Sequence, residues 1–140
     1  LSNYFQDNFG FSISDLLECQ KVRLYRRKDL IFTIPSTYLE SFQSLPYHTL
    51  GMRIGKQIGK EFIPSQEFVS RFGYGFTQGI YEIPSDLVMQ WMSGQDLRGL
   101  SISNYRNRQI VLIKDPLSRN LGCGRLLPNR IRNLLPMRTI

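Results

Sequence analysis

The last 25 residues of the chain, 116–140, hold Arg119, Arg125, Arg130, Arg132 and Arg138 and no acid. Uncompensated charge of that density usually belongs to a solvated tail or to a surface for a polyanion. A tail has no use for apolar side chains, and this block holds Leu117, Leu121, Leu126, Leu127, Ile131, Leu134, Leu135 and Ile140. The block therefore reads as folded, with its arginines presented from a fixed scaffold. Residues 1–115 carry 13 Lys/Arg against 11 acids, so most of the net charge of +7 sits at the C-terminal end.

The rest of the chain is cut into short pieces. SISDLLEC (12–19) has a Ser or Asp start and a leucine pair, which suits a short helix. KVRLYRR alternates as a half-exposed strand, Lys28–Asp29 is a tight turn, and LIFTIP is a second strand stopped by Pro35. Ser36 caps a short helix through Phe42, and residues 48–64 give two strands about a turn near Gln57–Gly59. Ser65 opens a helix that runs to Gly73, and YGFTQG is a loop leading into a strand. IPSDLVMQWMSG (83–94) is the clearest helix: Ser85 as cap, Leu87, Val88, Trp91 and Met92 as one apolar stripe, Gly94 as stop. At that spacing Trp91 is expected to be core. Strands follow near 97–102, at QIVLIKD and at LGCGRLLP, and IRNLLP closes the chain as a short turn or strand.

Several chemistries are excluded by spacing. Gly51 and Gly55 are one residue too close for a phosphate-binding loop, and Lys56 is followed by Gln57 rather than a hydroxyl residue. GYGFTQG follows a helix and opens a strand, the reverse of a dinucleotide or S-adenosylmethionine loop. His48 is the one histidine, and no pattern joins it to Cys19 or Cys123, so neither nucleophilic catalysis nor a zinc site has a visible candidate. The two cysteines lack C-x-x-C spacing; a disulfide stays open, and reduced, cytoplasmic protein is the expectation. No apolar run approaches the ~20 residues that cross a bilayer, and no membrane partner is expected. The opening LSNYFQDNFG reads as the start of a fragment, with an upstream domain missing.

What remains is basic. Arg23, Arg26, Arg27 and Lys28 form one group; Arg53, Lys56 and Lys60 a second; Arg106 and Arg108 a third; the C-terminal arginines a fourth. Tyr105, between Asn104 and Arg106 in a polar turn, is either a stacking platform for an unpaired base or a half-buried packing residue. Residues 130 and 132 are two apart, so an extended segment sends both side chains to one face and turns Ile131 to the other.

Three stretches, in order, carry a resemblance. LGMRIGKQIGKEFIPSQEFVSRFG resembles the segment that follows the catalytic domain in RsmF-like members of the Sun-type RNA cytosine-C5 methyltransferases. DLVMQWMSGQDL resembles the step that opens their PUA-like RNA-binding domain, and LGCGRLLPNRIRNLLPMRTI its ending. Matching positions are Gly51, Gly55, Lys60, Phe62, Pro64 and Ser65, then Leu121, Gly122, Gly124, Arg125, Arg130, Ile131, Arg132, Asn133 and Pro136. Gln66 stands where the family often has His, and the last residues, Met137–Ile140, keep the closing motif only in part. The family's catalytic cysteines lie in P-C-S and T-C contexts, whereas Cys19 lies in E-C-Q and Cys123 in G-C-G.

The expectation is thus an α+β chain: a small α/β unit, residues 1–80, packed against a PUA-like β-barrel, residues 84–140. The resemblance implies the RNA-binding region of an rRNA methyltransferase, itself not an enzyme. It would hold structured RNA, most of all rRNA, for a catalytic domain in cis or trans. Arg53, Lys60, Tyr105, Arg106, Arg125, Arg130, Arg132 and Asn133 are the expected RNA contacts. No cofactor is expected in this chain; S-adenosylmethionine belongs to the missing domain. The alternatives are a free-standing RNA-binding or ribosome-assembly protein and a module that docks on its own catalytic domain.

Overall fold

The strands read in the first half of the chain close into one antiparallel sheet. The structure, a computed structural model, describes residues 1–35, 51–102 and 105–136. The helix expected from Ser36, His48 with the start of its strand, Asn104, and Met137–Ile140 lie outside the described residues. The chain is α+β and divides into two compact units, Leu1–Phe68 and Val69–Ile140. Among the described residues, no helix is long and apolar enough to cross a membrane.

In the first unit β1 (Val22–Arg27), β2 (Leu30–Pro35), β3 (Arg53–Ile58) and β4 (Glu61–Pro64) pair antiparallel in sequence order. A register shift between Ile31 and Phe32 sets Gly55 opposite Ile31 and Arg53 opposite Phe32. Gly55 is required there, because a Cβ would lie 2.4 Å from both the Ile63 carbonyl oxygen and the Phe62 ring. Two helices precede the sheet, α1 (Ser2–Phe9) and α2 (Ile13–Gln20). Ser12 caps α2 by accepting from the Asp15 N–H at 3.3 Å. Phe5, Phe9, Ile13, Ile54 and Phe68 are fully buried, and the Phe5 ring packs edge-on or tilted against Phe62 and Phe68, with centroids 5.6 and 5.1 Å away.

Ser65 begins α3 (Gln66–Phe72), its hydroxyl accepting from the Phe68 N–H at 3.1 Å and donating to the Arg53 carbonyl at 2.5 Å. The second unit then lays down β5 (Ile80–Glu82), α4 (Val88–Met92), β6 (Leu97–Arg98), β7 (Ile110–Lys114), β8 (Asn120–Leu127) and β9 (Arg130–Asn133). Sheet order is β5-β7-β8-β9-β6, with β5 parallel to β7 and the other pairs antiparallel. β8 is buried from Leu121 to Leu126, on both its faces.

The clearest helix in the sequence is shorter than its pattern. Residues 85–87 form a 3-10 turn that begins with the Leu87 N–H bonding the Pro84 carbonyl at 3.0 Å; Ser85 makes no capping bond. Pro84 lacks an N–H and sits at φ −62°, so the backbone itself starts the turn. The stop is as expected: Gly94 adopts φ +91° and its N–H reaches the Trp91 carbonyl at 3.0 Å.

Trp91 is fully buried and organises the second core. Its indole N–H donates to the Leu121 carbonyl at 2.7 Å, and its ring lies across Gly124, where a Cβ would come within 2.9 Å of it. Leu97, Val111, Ile113, Leu126 and Ile131 complete the same cluster. Trp91→Ala should cost ~3–5 kcal/mol, measured by chemical denaturation, since it opens a large cavity. Trp91→Phe should also destabilise, by ~1–3 kcal/mol, because it leaves a buried carbonyl without a donor.

Candidate nucleic-acid interface

β9 alternates as its sequence requires. Ile131 is buried against Leu97 of β6 and Leu126 of β8, its register partners on either side. Arg130 and Arg132 therefore leave the opposite face. Register then adds what sequence alone did not offer: Arg130 stands opposite Arg98 of β6, and Arg132 opposite Arg125 of β8. Four arginines share one face of three adjacent strands.

Like charges directly opposite one another destabilise a sheet, and here there are two such pairs. One is relieved by Asp96, whose Oδ2 accepts from Arg130 at 3.1 Å while Oδ1 accepts from the Asn133 N–H at 2.9 Å. The pair is partly open to solvent, 35% for Arg130 and 28% for Asp96. Arg98 and Arg132 are exposed. Arg106 and Arg108 are exposed on the turn before β7, and the Arg108 N–H bonds the Leu126 carbonyl at 2.6 Å, which ties that turn to the end of β8.

The acid-free block is thus not acid-free in space. Asp115 is 1% exposed and grips Arg119, its Oδ2 accepting from Nε at 2.6 Å and from Nη2 at 2.6 Å. Its Oδ1 accepts from the backbone N–H groups of Leu117 and Arg119 at 3.0 and 2.9 Å. Burial pushes this carboxyl up, but the hydrogen bonds and charge of Arg119 and the Leu117 N–H outweigh it and hold the pKa below the ordinary value.

The other expected contacts fall in varied places. Arg125 is 7% exposed, in the strand buried on both faces, so it lies at the root of the arginine face rather than on its surface. Asn133 is committed internally: its Nδ2 donates to the Trp91 and Gln95 carbonyls at 2.8 and 3.1 Å, and its Oδ1 accepts from the Leu135 N–H at 2.8 Å. Tyr105 is the packing residue of the two alternatives, its hydroxyl donating to the Ile80 carbonyl at 2.9 Å and its ring 5.5 Å from Tyr81. Lys60 is exposed in the β3–β4 turn, and Arg53 is half-buried on β3 with Nε enclosed, both in the first unit.

Cys123 is a poor nucleophile. Burial pushes the Cys123 thiol up to about 12, so it stays protonated at neutral pH, and both thiols are free.

No protein-family model matches the chain. It is similar to the ribosomal RNA small subunit methyltransferase F of Psychromonas ingrahamii, 24% identical over 124 residues, which cover 86% of this chain and 25% of that protein. The relationship is distant and partial. The chain spans about a quarter of the relative's length.

Two predictions follow from this geometry. A thiol reagent should label exposed Cys19 quickly and Cys123 only on unfolding; equal native rates would mean the Cys123 strand opens readily. Because the Asp115 pKa is lowered on folding, its contribution is present above the unfolded carboxylate pKa and lost as pH falls through the folded value. Asp115→Asn should therefore lower the melting temperature at pH 7, and the gap to the parent should narrow on acidification.

Proposed function

We propose that this chain holds structured ribosomal RNA for an rRNA cytosine methyltransferase active site carried elsewhere in the same protein or by a partner. The observation that carries the proposal is the opposition of Arg98 to Arg130 and Arg125 to Arg132 on the side of the sheet away from Ile131 and Leu97. Folding alone has no reason to align four guanidinium groups across three strands. A phosphate backbone that neutralises them supplies one. Arg98, Arg130 and Arg132, with Arg106 and Arg108 at the neighbouring turn, are the proposed contacts; Arg125 supports them from below.

The choice of ribosomal RNA rests on the likeness to the Psychromonas protein, whose name states that substrate. The second unit is read as PUA-like, and the protein as cytoplasmic. Methyl transfer, with its S-adenosylmethionine, is assigned to a catalytic domain outside these residues, in keeping with the sequence contexts of Cys19 and Cys123.

The test is a binding titration of the chain against a small-subunit rRNA fragment over a series of salt concentrations. Arg98→Thr with Arg132→Thr should weaken binding and flatten the log–log salt dependence by roughly 1.4 to 1.8, two contacts at about 0.7 to 0.9 each. Removing like-charge opposition should leave thermal stability unchanged or raised. An unaltered salt slope with a lowered melting temperature would assign these arginines to the fold, or to docking on another protein domain.

A further inference from the structure

Residues 21–28, KVRLYRRK, hold five cations and no acid, as many cations as the whole 25-residue C-terminal block. Most of them lie on β1, which among the described residues is an edge strand of the first sheet, paired with β2. A strand packed on one face shows alternating burial. β1 shows none: Val22 is half-buried and the next five residues are all exposed.

The register places Arg23, Tyr25 and Arg27 on one face, opposite Ile34, Phe32 and Leu30. Tyr25 is 43% exposed and its ring tilts against Phe32 with centroids 6.4 Å apart, so it is propped from one side and open on the other. At about 3.3 Å rise per residue, Arg23 and Arg27 flank it roughly 6.6 Å away in each direction along the strand. On the second face Arg26 is fixed by its Nε–H, which donates to the Lys28 carbonyl at 2.9 Å. Lys28 itself turns the hairpin at φ +56°, which holds that carbonyl in place. Asp29, the acid that follows in sequence, pairs with Lys56 at 3.7 Å.

Edge strands often carry charge simply to discourage pairing with other chains. That accounts for the cations. It does not account for Tyr25 and Leu24, 43% and 37% exposed among them, because exposed apolar surface on an edge favours association. Cations spaced around an open aromatic ring are what a single-stranded nucleic acid needs: phosphates on the guanidinium groups and a base stacked on the ring.

We infer that β1 is a second RNA-contacting surface, separate from the arginines of β6 and β9, which takes an unpaired strand with phosphates on Arg23, Arg26 and Arg27 and a base on Tyr25. The inference rests on the RNA-binding reading only for the identity of the polyanion.

The test measures fluorescence anisotropy of the full chain with a labelled, unstructured oligouridine, and in parallel with the structured rRNA fragment. Arg23→Glu with Arg26→Glu and Arg27→Glu keeps the edge charged, so it stays blunted while its sign reverses. This variant should bind oligouridine much more weakly, and three lost contacts should flatten the salt dependence by about 2, at about 0.7 each for a single strand. Tyr25→Ala should weaken oligouridine binding roughly 5- to 100-fold with the salt slope unchanged, as lost stacking does. Circular dichroism and gel filtration check that both variants remain folded and elute as the parent does, and Tyr25→Ala tests the inference should the charge-reversed variant not fold. Parent-like oligouridine binding by either folded variant overturns the inference, leaving β1 as a blunted edge or a protein contact. If the parent chain binds the rRNA fragment but not oligouridine, the inference falls alone; if it binds neither, the RNA-binding reading falls with it.

Discussion

The second unit depends on one packing event, the seating of Trp91 over Gly124. Its ring crosses a strand that has no side chain at that point, and its indole N–H is bonded to Leu121 three residues earlier on the same strand. Asn133 closes the arrangement from the next strand by donating to the Trp91 carbonyl. One residue, by its side chain and its carbonyl, thereby fixes the position of α4 against both β8 and β9. Because side chains alternate along a strand, a slip of one residue would exchange Ile131 with its arginine neighbours. The Trp91–Gly124–Asn133 set keeps the apolar residue inside and the charges outside.

That register explains how a strongly basic segment can be part of a core. Alternation separates the two demands at the level of single residues, and the remaining conflict is electrostatic. Asp96 and Asp115 ease it unequally. Asp115 is buried and pairs with Arg119, whose side chain stays 63% exposed, while Asp96 holds the less exposed Arg130 and also anchors the β9 backbone. Arg98 and Arg132 are left exposed, and they are the side chains that a phosphate group can reach without first displacing an acid from Arg130.

Local chemistry was legible in the sequence and long-range chemistry was not. Ser12 and Ser65 announce their helices because a cap is a bond between residues three apart. α1 went unread because its N-cap is Leu1, which makes no side-chain bond. The face of Arg130 and Arg132 followed from alternation alone. The acid partner of Arg130 did not, since Asp96 lies 34 residues upstream of it. Arg98 was missed for the same reason: its strand is two residues long, and only pairing with β9 reveals its face. Arg125 sits in a strand buried on both sides, where period-two reasoning has no polar face to point to. Asn133 matched a family motif, and a motif position does not distinguish a residue that touches a ligand from one that holds the scaffold; its three side-chain bonds make it the latter.

The central claim is that the arginine face of β6 and β9 lies against RNA. Photo-crosslinking of the chain to small-subunit rRNA, with the linked peptides located by mass spectrometry, tests it most directly. The account predicts crosslinks in the peptides holding Arg98, Arg106–Arg108 and Arg130–Arg132. Crosslinks confined to other surfaces, with these peptides unmodified at saturating RNA, would contradict it.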